Sequence, residues 1–362
     1  RTVTLRGAGS EDGRVLAEGE IVSLDGSTGE LFAGAFTTSS PAAAHRNLRT
    51  LLDAAAAVSG CEVWARVTTA EDVASARAAG AAGVVARTDA LMAAAGAAVM
   101  LEQVITAPTS PGPSVLTAVE DAVADAAAAL LSAAGETSLH LLALGADNSA
   151  GRLQGDGAPA SDRGSEPVLP LQASGLLGAQ CRGLVRALRS MTGDRCAGGS
   201  ARLVVSGIND PGELASLATL SQAVDADGLD VGPRVLLSTP RGVRSAAVLA
   251  GPEIAWVDVS ALQAAVLGLP RSVLATAEPL DGYLRAGLYA ADPRTTLDPL
   301  VEQLVAEAVT GAATAGATLG VFMLETPSAE TAQRLLRTGI RRWAVDAPEV
   351  GPTVLLLAQA SS

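Results

Sequence analysis

Residues 319–337 read LGVFMLETPSAETAQRLLR, a short apolar run followed by a pattern of helical period. The run Leu319–Leu324 has the length and composition of a strand buried on both faces, as in a parallel sheet. The pattern Ala329–Arg337 follows Ser328, a residue type that caps helix N-termini. One strand followed by one helix is therefore predicted here.

The same order recurs along the chain, because seven further apolar runs alternate with helical patterns such as Thr69–Ala79, Pro211–Ala223 and Leu297–Ala315. The runs are Glu62–Val67, Gly83–Ala86, Leu139–Leu144, Arg202–Ser206, Arg234–Ser238, Ile254–Val259 and Arg342–Val345. Eight strand and helix units over roughly 300 residues have the count and size of a (β/α)₈ TIM barrel. We therefore predict an α/β protein with this barrel over residues 61–362.

The N-terminal part has a different pattern. Residues 1–34 are predicted to form a short all-β fragment, with strands at 2–5, 20–24 and 30–32 separated by Gly-containing turns. Residues 35–60 are predicted to be a helical linker. The stretch Gly145–Val168 is rich in Gly, Ser, Asp and Pro, which predicts a long loop after the third barrel strand.

Composition excludes several classes of protein. The 25 basic residues are all arginine, and with 38 acidic residues they give a formal net charge of −13. Without lysine, neither Schiff-base aldolase chemistry nor a phosphate-binding loop lysine is possible. The acidic balance and the lack of a basic cluster also argue against nucleic-acid binding.

The cysteines and the N-terminus bear on location. Cys61, Cys181 and Cys196 are an odd number at irregular spacing, which fits neither a disulfide framework nor a zinc site. Buried thiols in a reducing compartment are the simpler interpretation. We found no signal pattern and no membrane span, so a soluble, cytoplasmic protein is expected.

Three stretches resemble a known family. Gly19–Leu31, the segment from Ala70 to Asp89, and Gly339–Val350 resemble parts of pyruvate phosphate dikinase and its phosphoenolpyruvate-utilising relatives. That resemblance implies the tail of a swivelling phosphohistidine domain at 1–34 and a phosphoenolpyruvate-binding barrel after the linker. It also implies a homodimer, and upstream phosphohistidine and nucleotide-binding domains.

The resemblance further implies where the family's metal ligands would lie. Ser238 occupies the place of a metal-binding glutamate, and Ser260 and Ala261 occupy the place of an Asn-Asp pair. Because Mg²⁺ prefers carboxylate oxygen, this set predicts no metal and no other cofactor. Asp258 is a weak candidate for a displaced ligand, or a carboxylate that caps the next helix.

The other family positions have also changed. Phe322 or Met323 stands where the family has its proton-carrying cysteine, and Glu325 is the remaining candidate for a general base, or else a carboxylate at a helix start. His140 replaces a substrate-binding arginine.

A second substrate-binding arginine has become Gln172, whereas Arg87 and Arg271 match arginines that the family keeps. Paired guanidinium groups bind phosphate or carboxylate without a metal, and salt bridging at the surface is the alternative for each. A weak anion site at Arg87 and Arg271, with His140 and Ser238 beside it, is therefore predicted.

Three functions remain open from the sequence. The first is a catalytically inactive barrel of the pyruvate phosphate dikinase type that keeps an anion site. The second is a working phosphotransferase in which Glu325, Asp258 and the 145–168 loop rebuild the site, with magnesium bound. The third is a dimerisation or docking scaffold.

Overall fold

The structure is a computed structural model of the whole chain. It describes residues 2–5, 14–17, 19, 21–24, 31–36, 46–94, 111–135, 137–143, 175–191, 201–215, 234–249, 255–269, 274, 277–289, 291–323 and 326–361. The chain divides into two compact units, Arg1–His45 and Arg46–Ser362.

The first unit contains two antiparallel strand pairs. Strand β1 (Thr2–Leu5) pairs with β2 (Arg14–Ala17), and β3 (Val22–Leu24) pairs with β4 (Leu31–Ala33). The Ser23 hydroxyl fixes the second pair, because it donates to the carbonyl of Gly34 and accepts from the amide of Phe36, both at 2.9 Å. The predicted all-β character of this region is present, with β2 as a strand that the sequence pattern did not indicate.

The second unit begins with helix α1 (Arg46–Ser59) and contains a closed barrel of eight parallel strands. The strands follow one another in chain order, and the last pairs with the first. They are β5 (Glu62–Arg66), β6 (Gly83–Arg87), β7 (Ser138–Leu142), β8 (Ala201–Ser206), β9 (Arg234–Leu237), β10 (Ala255–Asp258), β11 (Leu319–Phe322) and β12 (Arg342–Asp346). Helices surround these strands, which confirms the predicted (β/α)₈ barrel.

The helices begin at capping residues that the sequence supplies. The Thr69 hydroxyl accepts from the Asp72 amide, and the Asp72 carboxylate accepts from the Thr69 amide, which forms a capping box. The Asp298 carboxylate accepts from the Leu300 amide and the Ser328 hydroxyl accepts from the Thr331 amide, so these side chains cap later helices.

The described helices after α1 are α2 (Ala70–Ala78), α3 (Thr88–Ala94), α4 (Pro113–Ala134), α5 (Leu176–Ser190), α6 (Pro240–Arg244), α7 (Ala246–Leu249), α8 (Val259–Leu267), α9 (Ala277–Arg285), α10 (Pro299–Thr314), α11 (Ala329–Arg337) and α12 (Val350–Ser361). Of the predicted helix Pro211–Ala223, the first five residues are helical and the rest lies outside the described residues. No helix within these ranges is both long and apolar enough to cross a membrane.

The strands bury both of their faces. Alternate residues point outward into a large Val, Leu and Ala core beneath the helices, and the others point into the barrel. The apolar inward residues form a separate cluster: Trp64, Val85, Leu142, Val204, Leu236, Trp256, Phe322 and Ala344. Burial on both sides explains why these strands read as continuous apolar runs in the sequence.

Two indole rings and one imidazole fill the middle of the barrel. The ring centroid of His140 lies 4.7 Å from that of Trp64 and 5.9 Å from that of Trp256. Gly83 and Gly320 make room for the indoles, because a Cβ atom there would lie 2.3 Å from the Trp64 ring and 2.4 Å from the Trp256 ring. We call Trp64, His140 and Trp256 the Trp–His–Trp cluster, and it separates the two ends of the barrel.

Candidate functional site

The carboxyl ends of barrel strands are where ligands of this fold bind, and the strand registers show which side chains share that level. The inward side chains at one height along the barrel axis form a layer, and the four side chains of a layer come from alternate strands. Following the registers around the barrel places Arg87, Ser206, Asp258 and Asp346 in the last inward layer. The layer beneath contains Arg66 among apolar residues.

Both arginines at this end are paired with carboxylates. Arg66 Nη2 lies 2.9 Å from Asp346 Oδ2, and its guanidinium lies over the Phe322 ring at 5.2 Å from the centroid. Arg87 forms two parallel hydrogen bonds to the buried Asp89, each of 3.1 Å. The predicted anion ligand Arg87 therefore lies at the barrel mouth, but an incoming anion would compete there with Asp89.

Ser238 and Asp258 lie at or beside the positions that the resemblance assigns to metal ligands. Asp258 is fully buried, and its Oδ1 atom accepts from the amide of Ala261 at 2.9 Å, so it caps helix α8. Ser238 is 6% exposed, and its hydroxyl has no hydrogen-bond partner among the described residues. Among all the residues that the structure describes, no three His, Cys, Asp or Glu side chains lie close enough together to hold a metal ion.

His140 lies below the mouth, inside the Trp–His–Trp cluster. Trp256 Nε1 donates to His140 Nδ1 at 2.8 Å, so a neutral His140 carries its proton on Nε2. The imidazole is 3% exposed and contributes to core packing rather than to a ligand site at the mouth. Arg271, Glu325 and Gln172 lie outside the described residues.

A cleft opens beside the ends of β10 and β11, with a volume of about 170 Å³. We call it the β10/β11 cleft. Its walls are helix α8, the segment 293–297 before α10, and the start of α11. The lining residues are Val259, Ser260, Gln263, Leu274, Pro293, Arg294, Thr295, Thr296, Leu297, Met323, Thr326, Pro327, Ser328 and Thr331.

Gln263 holds the middle wall of this cleft in place. Its Nε2 donates to the carbonyls of Pro293 and Thr296 at 2.6 and 2.7 Å, and its Oε1 accepts from the amide of Asp298 at 3.1 Å. Because the amide is 5% exposed and makes three hydrogen bonds, it fixes the segment before α10 against α8.

Arg294 brings a positive charge to the cleft wall, and two aspartates compensate it. Its Nε and Nη2 donate to Asp292, and Nη2 also reaches Asp281 Oδ1 at 3.1 Å. The hydrogen bonds from Arg294 hold the pKa of Asp292 below its ordinary value. The cleft therefore offers a neutral to slightly negative surface.

Sequence reasoning missed the cleft. The stretches that build it are 259–263, 293–297 and 326–331, which are far apart in the chain. The hydroxyl-rich sequence Arg294-Thr295-Thr296 was a signal, and Thr326-Pro327-Ser328 was interpreted only as a helix start.

No protein-family model matches the chain, and no curated protein matches it. Solved structures do match. A citrate lyase from Burkholderia xenovorans LB400 has 12% identity and a TM-score of 0.46, over 83% of this chain and 76% of that one. An HpcH/HpaI aldolase/citrate lyase family protein from Burkholderia cenocepacia J2315 has 14% identity and a TM-score of 0.43, over 83% and 93%. A variant of the citrate synthase SbnG has 10% identity and a TM-score of 0.38, over 83% and 90%.

These matches correct the family assignment made from the sequence. The matched structures are described as citrate lyase, aldolase and citrate synthase proteins, so the assignment to the pyruvate phosphate dikinase family is wrong. The hypotheses of an inactive dikinase-type barrel and of a phosphoenolpyruvate phosphotransferase are wrong with it. At these identities the likeness concerns the fold alone.

Local structure explains why the resemblance misled. Within Gly19–Leu31, the described residues Val22–Leu24 and Leu31 belong to the β3–β4 pair, and two short strands separated by a Gly-containing sequence give such a pattern in many hairpins. Gly339, with a φ of 99°, turns the chain into β12, and Pro348 lies in the first turn after that strand. Both stretches therefore follow local strand and turn patterns that occur in many families. The expected homodimer rested on this resemblance and stays a prediction.

Proposed function

We propose that this chain is a binding protein rather than a catalyst, and that its ligand is a small uncharged molecule with hydroxyl or carbonyl groups. The observation that carries the proposal is the lining of the β10/β11 cleft. Six hydroxyl side chains line it, Gln263 holds its wall, and Arg294 is the one ionisable side chain among the described residues of the lining. Hydroxyl groups recognise a ligand through neutral hydrogen bonds.

The charges near the cleft disfavour an anion. Arg294 is paired with Asp292 and Asp281, so these three groups together carry one negative charge. An anionic ligand would have to displace a carboxylate from Arg294 and would still meet the other. A neutral ligand meets no such cost.

The absence of catalysis is proposed from the state of the acidic groups. A general acid or base must reach the proton that it moves. At the carboxyl end of the barrel, Asp89 is bound to Arg87, Asp346 is bound to Arg66, and Asp258 caps α8. None of these carboxylates belongs to the described lining of the cleft.

The size of the cleft limits the ligand. The cleft has a volume of about 170 Å³. This is below the usual range for drug-sized ligands, so a molecule of a few carbon atoms fits best. Short polyols, hydroxyketones and small amides are the classes to test.

The experiment is thermal unfolding of the protein with a panel of such neutral compounds, beside acetate and phosphate at the same ionic strength. A ligand that binds only the native state must raise the melting temperature. The Thr296→Val variant keeps the side-chain shape and removes one cleft hydroxyl, so it should weaken the response about fivefold to tenfold. Thr310→Val is the matched control, because Thr310 lies on the exposed side of α10 and bonds the carbonyl of Ala306.

Two results would overturn the proposal. A response to anions alone, with no effect of Thr296→Val, would place the ligand outside the cleft. Conversion of a bound compound, followed by NMR and abolished in Glu325→Gln, would show that the protein is an enzyme.

We also propose a reducing, cytoplasmic location. Cys61 and Cys181 are buried free thiols. Burial raises the pKa of the Cys181 thiol to about 11, which keeps it protonated and unreactive. Reaction of native protein with a thiol reagent should therefore be slow at these two cysteines and should become fast on unfolding.

A further inference from the structure

The guanidinium group of Arg294 has one nitrogen that its two aspartate partners do not use. Its Nε donates to Asp292, and its Nη2 donates to both Asp292 and Asp281. A guanidinium group has five N–H bonds, so these contacts take up the one N–H of Nε and both N–H bonds of Nη2. The two N–H bonds of Nη1 have no acceptor among the described residues.

This nitrogen is the part of the guanidinium group that a ligand in the β10/β11 cleft can use. Arg294 lines the cleft and its side chain is 19% exposed, whereas Asp292 and Asp281 do not belong to the described lining. The edge that carries Nε and Nη2 is occupied by those aspartates and is closed to a ligand. Nη1 is therefore the guanidinium donor that remains.

The pairing of Arg294 also limits which ligand oxygen fits. A carboxylate or phosphate is recognised best by two parallel hydrogen bonds from two nitrogens on one edge. Both of the edges that could provide such a pair of nitrogens include Nη2 or Nε, and these atoms are bound to the aspartates. Nη1 alone suits a single acceptor oxygen, and a carbonyl oxygen is an acceptor without a proton of its own.

Three hydroxyl groups of the cleft offer acceptors for a second ligand group. Thr295 Oγ1 donates to the carbonyl of Asp292 at 3.3 Å, and Thr331 Oγ1 donates to the carbonyl of Thr295 at 3.2 Å. Ser328 Oγ donates to Thr331 Oγ1 at 3.1 Å. A hydroxyl group has one proton, so these three groups use it within the protein and present lone pairs to a ligand. A ligand hydroxyl can donate to them.

We propose that the β10/β11 cleft selects small hydroxyketones, and that Arg294 determines this selectivity by donating from Nη1 to the ligand's carbonyl oxygen. The ligand's hydroxyl group donates to the hydroxyl oxygens of the cleft. This selectivity rests on the binding function proposed for the cleft, and it narrows the ligand to a molecule that carries both groups. The contact with Arg294 contributes most to it, because hydrogen bonds from charged donors are stronger than neutral ones.

The experiment compares pairs of compounds that differ only in whether one carbon carries a carbonyl or a hydroxyl group. Hydroxyacetone and propylene glycol form one pair, and dihydroxyacetone and glycerol form the other. Protein NMR titration gives each Kd at constant temperature, because polyols at high concentration raise the melting temperature without binding. The ketone should bind about tenfold more tightly, since the alcohol brings a further proton to a guanidinium group that has no acceptor.

Two variants test whether Arg294 causes this preference. Arg294→Gln removes Nη1 and the charge, so the ratio of the two Kd values should fall below about threefold. Arg285→Gln is the matched control, because Arg285 is an exposed arginine that donates to the backbone carbonyl of Asp281 and does not line the cleft. Its ratio should equal that of the wild type. A ratio compares two ligands on the same protein, so a general loss of stability in a variant cancels.

The carbonyl group of the ligand provides a second measurement. The carbonyl carbon resonance of isotope-labelled hydroxyacetone should move to higher chemical shift on binding, because a carbonyl oxygen that accepts a hydrogen bond is more strongly polarised. The shift should persist in Arg285→Gln and disappear in Arg294→Gln. A residue that only supports the cleft wall would not move this resonance.

The possible failures are distinguishable. Equal affinity for both members of each pair in the wild-type protein would overturn the selectivity, whether or not Arg294→Gln folds, and would leave the proposed binding function standing. Binding of neither member of either pair would overturn the selectivity, and failure of small amides as well would remove the binding function too. A preference that Arg294→Gln retains, or that Arg285→Gln also loses, would show that Arg294 does not determine it. Tighter binding of acetate than of hydroxyacetone would show an anion site instead.

Discussion

The two ends of the barrel use arginine in different ways. At the carboxyl end, Arg66 and Arg87 each pair with an aspartate, and Arg66 also lies over the Phe322 ring. At the amino end, the inward Arg342 pairs with the half-exposed Glu62, lies over the Trp64 ring, and has a buried Nη1 atom without a hydrogen-bond partner among the described residues. In this fold, function usually lies at the carboxyl end and stability at the amino end.

The Trp–His–Trp cluster keeps the two ends apart, and its removal should have the largest effect. Trp256→Ala should lower the free energy of unfolding by about 3–5 kcal/mol, because it leaves a cavity in the barrel. Urea unfolding followed by circular dichroism measures this. Trp256→Phe keeps most of the volume and loses the hydrogen bond to His140, so about 1–3 kcal/mol is expected. A loss below about 1 kcal/mol for the alanine variant would show that the barrel interior repacks.

The two half-exposed carboxylates at opposite ends test how strongly each arginine depends on its partner. Glu62→Gln should lower the free energy of unfolding by about 1–2 kcal/mol, because it leaves the buried Arg342 without its counter-charge. Asp346→Asn should cost less than about 1 kcal/mol, because its partner Arg66 still lies over the Phe322 ring. Equal losses would mean that the two ends are electrostatically alike.

Acid should act on both ends through carboxylates whose pKa is lowered by arginine. Glu62 at the amino end and Asp292 beside the cleft are both of this kind. A lowered pKa stabilises the folded state above the ordinary pKa, and that stabilisation is lost as the pH falls below about 4.5 for Glu62 and about 3.8 for Asp292.

Urea midpoints measured from pH 6 downward, at steps of about half a unit, give the slope of stability against pH. Glu62→Gln and Asp292→Asn should each make that slope smaller. An unchanged slope in Glu62→Gln would contradict the ion pair with Arg342.

The barrel could be predicted from the sequence because its strands are buried on both faces. Each of the eight predicted apolar runs overlaps a strand, and the predicted helix at 329–337 has the same bounds as α11. Capping residues such as Thr69 and Ser328 bond to amides only three residues further along the chain, so the helix starts could also be predicted from the sequence.

The candidate sites could not be predicted because they depend on distant contacts. His140 and Trp256 are 116 residues apart, and no local pattern indicates their hydrogen bond. Gln263 donates to the carbonyl of Pro293, which is 30 residues further along the chain, and the wall of the β10/β11 cleft depends on that contact. The site residues inferred from family resemblance, such as Arg87 and Ser238, were placed by positions in another family, and that family assignment is wrong.

The smallest change in the free energy of unfolding is expected for a substitution of Ser238 at the carboxyl end, and the sign of that change tests whether its hydroxyl has a partner. The Ser238 hydroxyl is buried without a partner among the described residues, so Ser238→Ala should be neutral or stabilise the protein by up to about 1 kcal/mol. Thr88→Val is the matched control, because the Thr88 hydroxyl is also buried but donates to Gln180 Oε1 at 2.6 Å. That variant should cost about 1–3 kcal/mol, since it removes the hydroxyl that donates to the buried Gln180. If Ser238→Ala instead costs as much as Thr88→Val, its hydroxyl has a partner in the folded protein, and the carboxyl end contains a polar contact that its charges alone do not indicate.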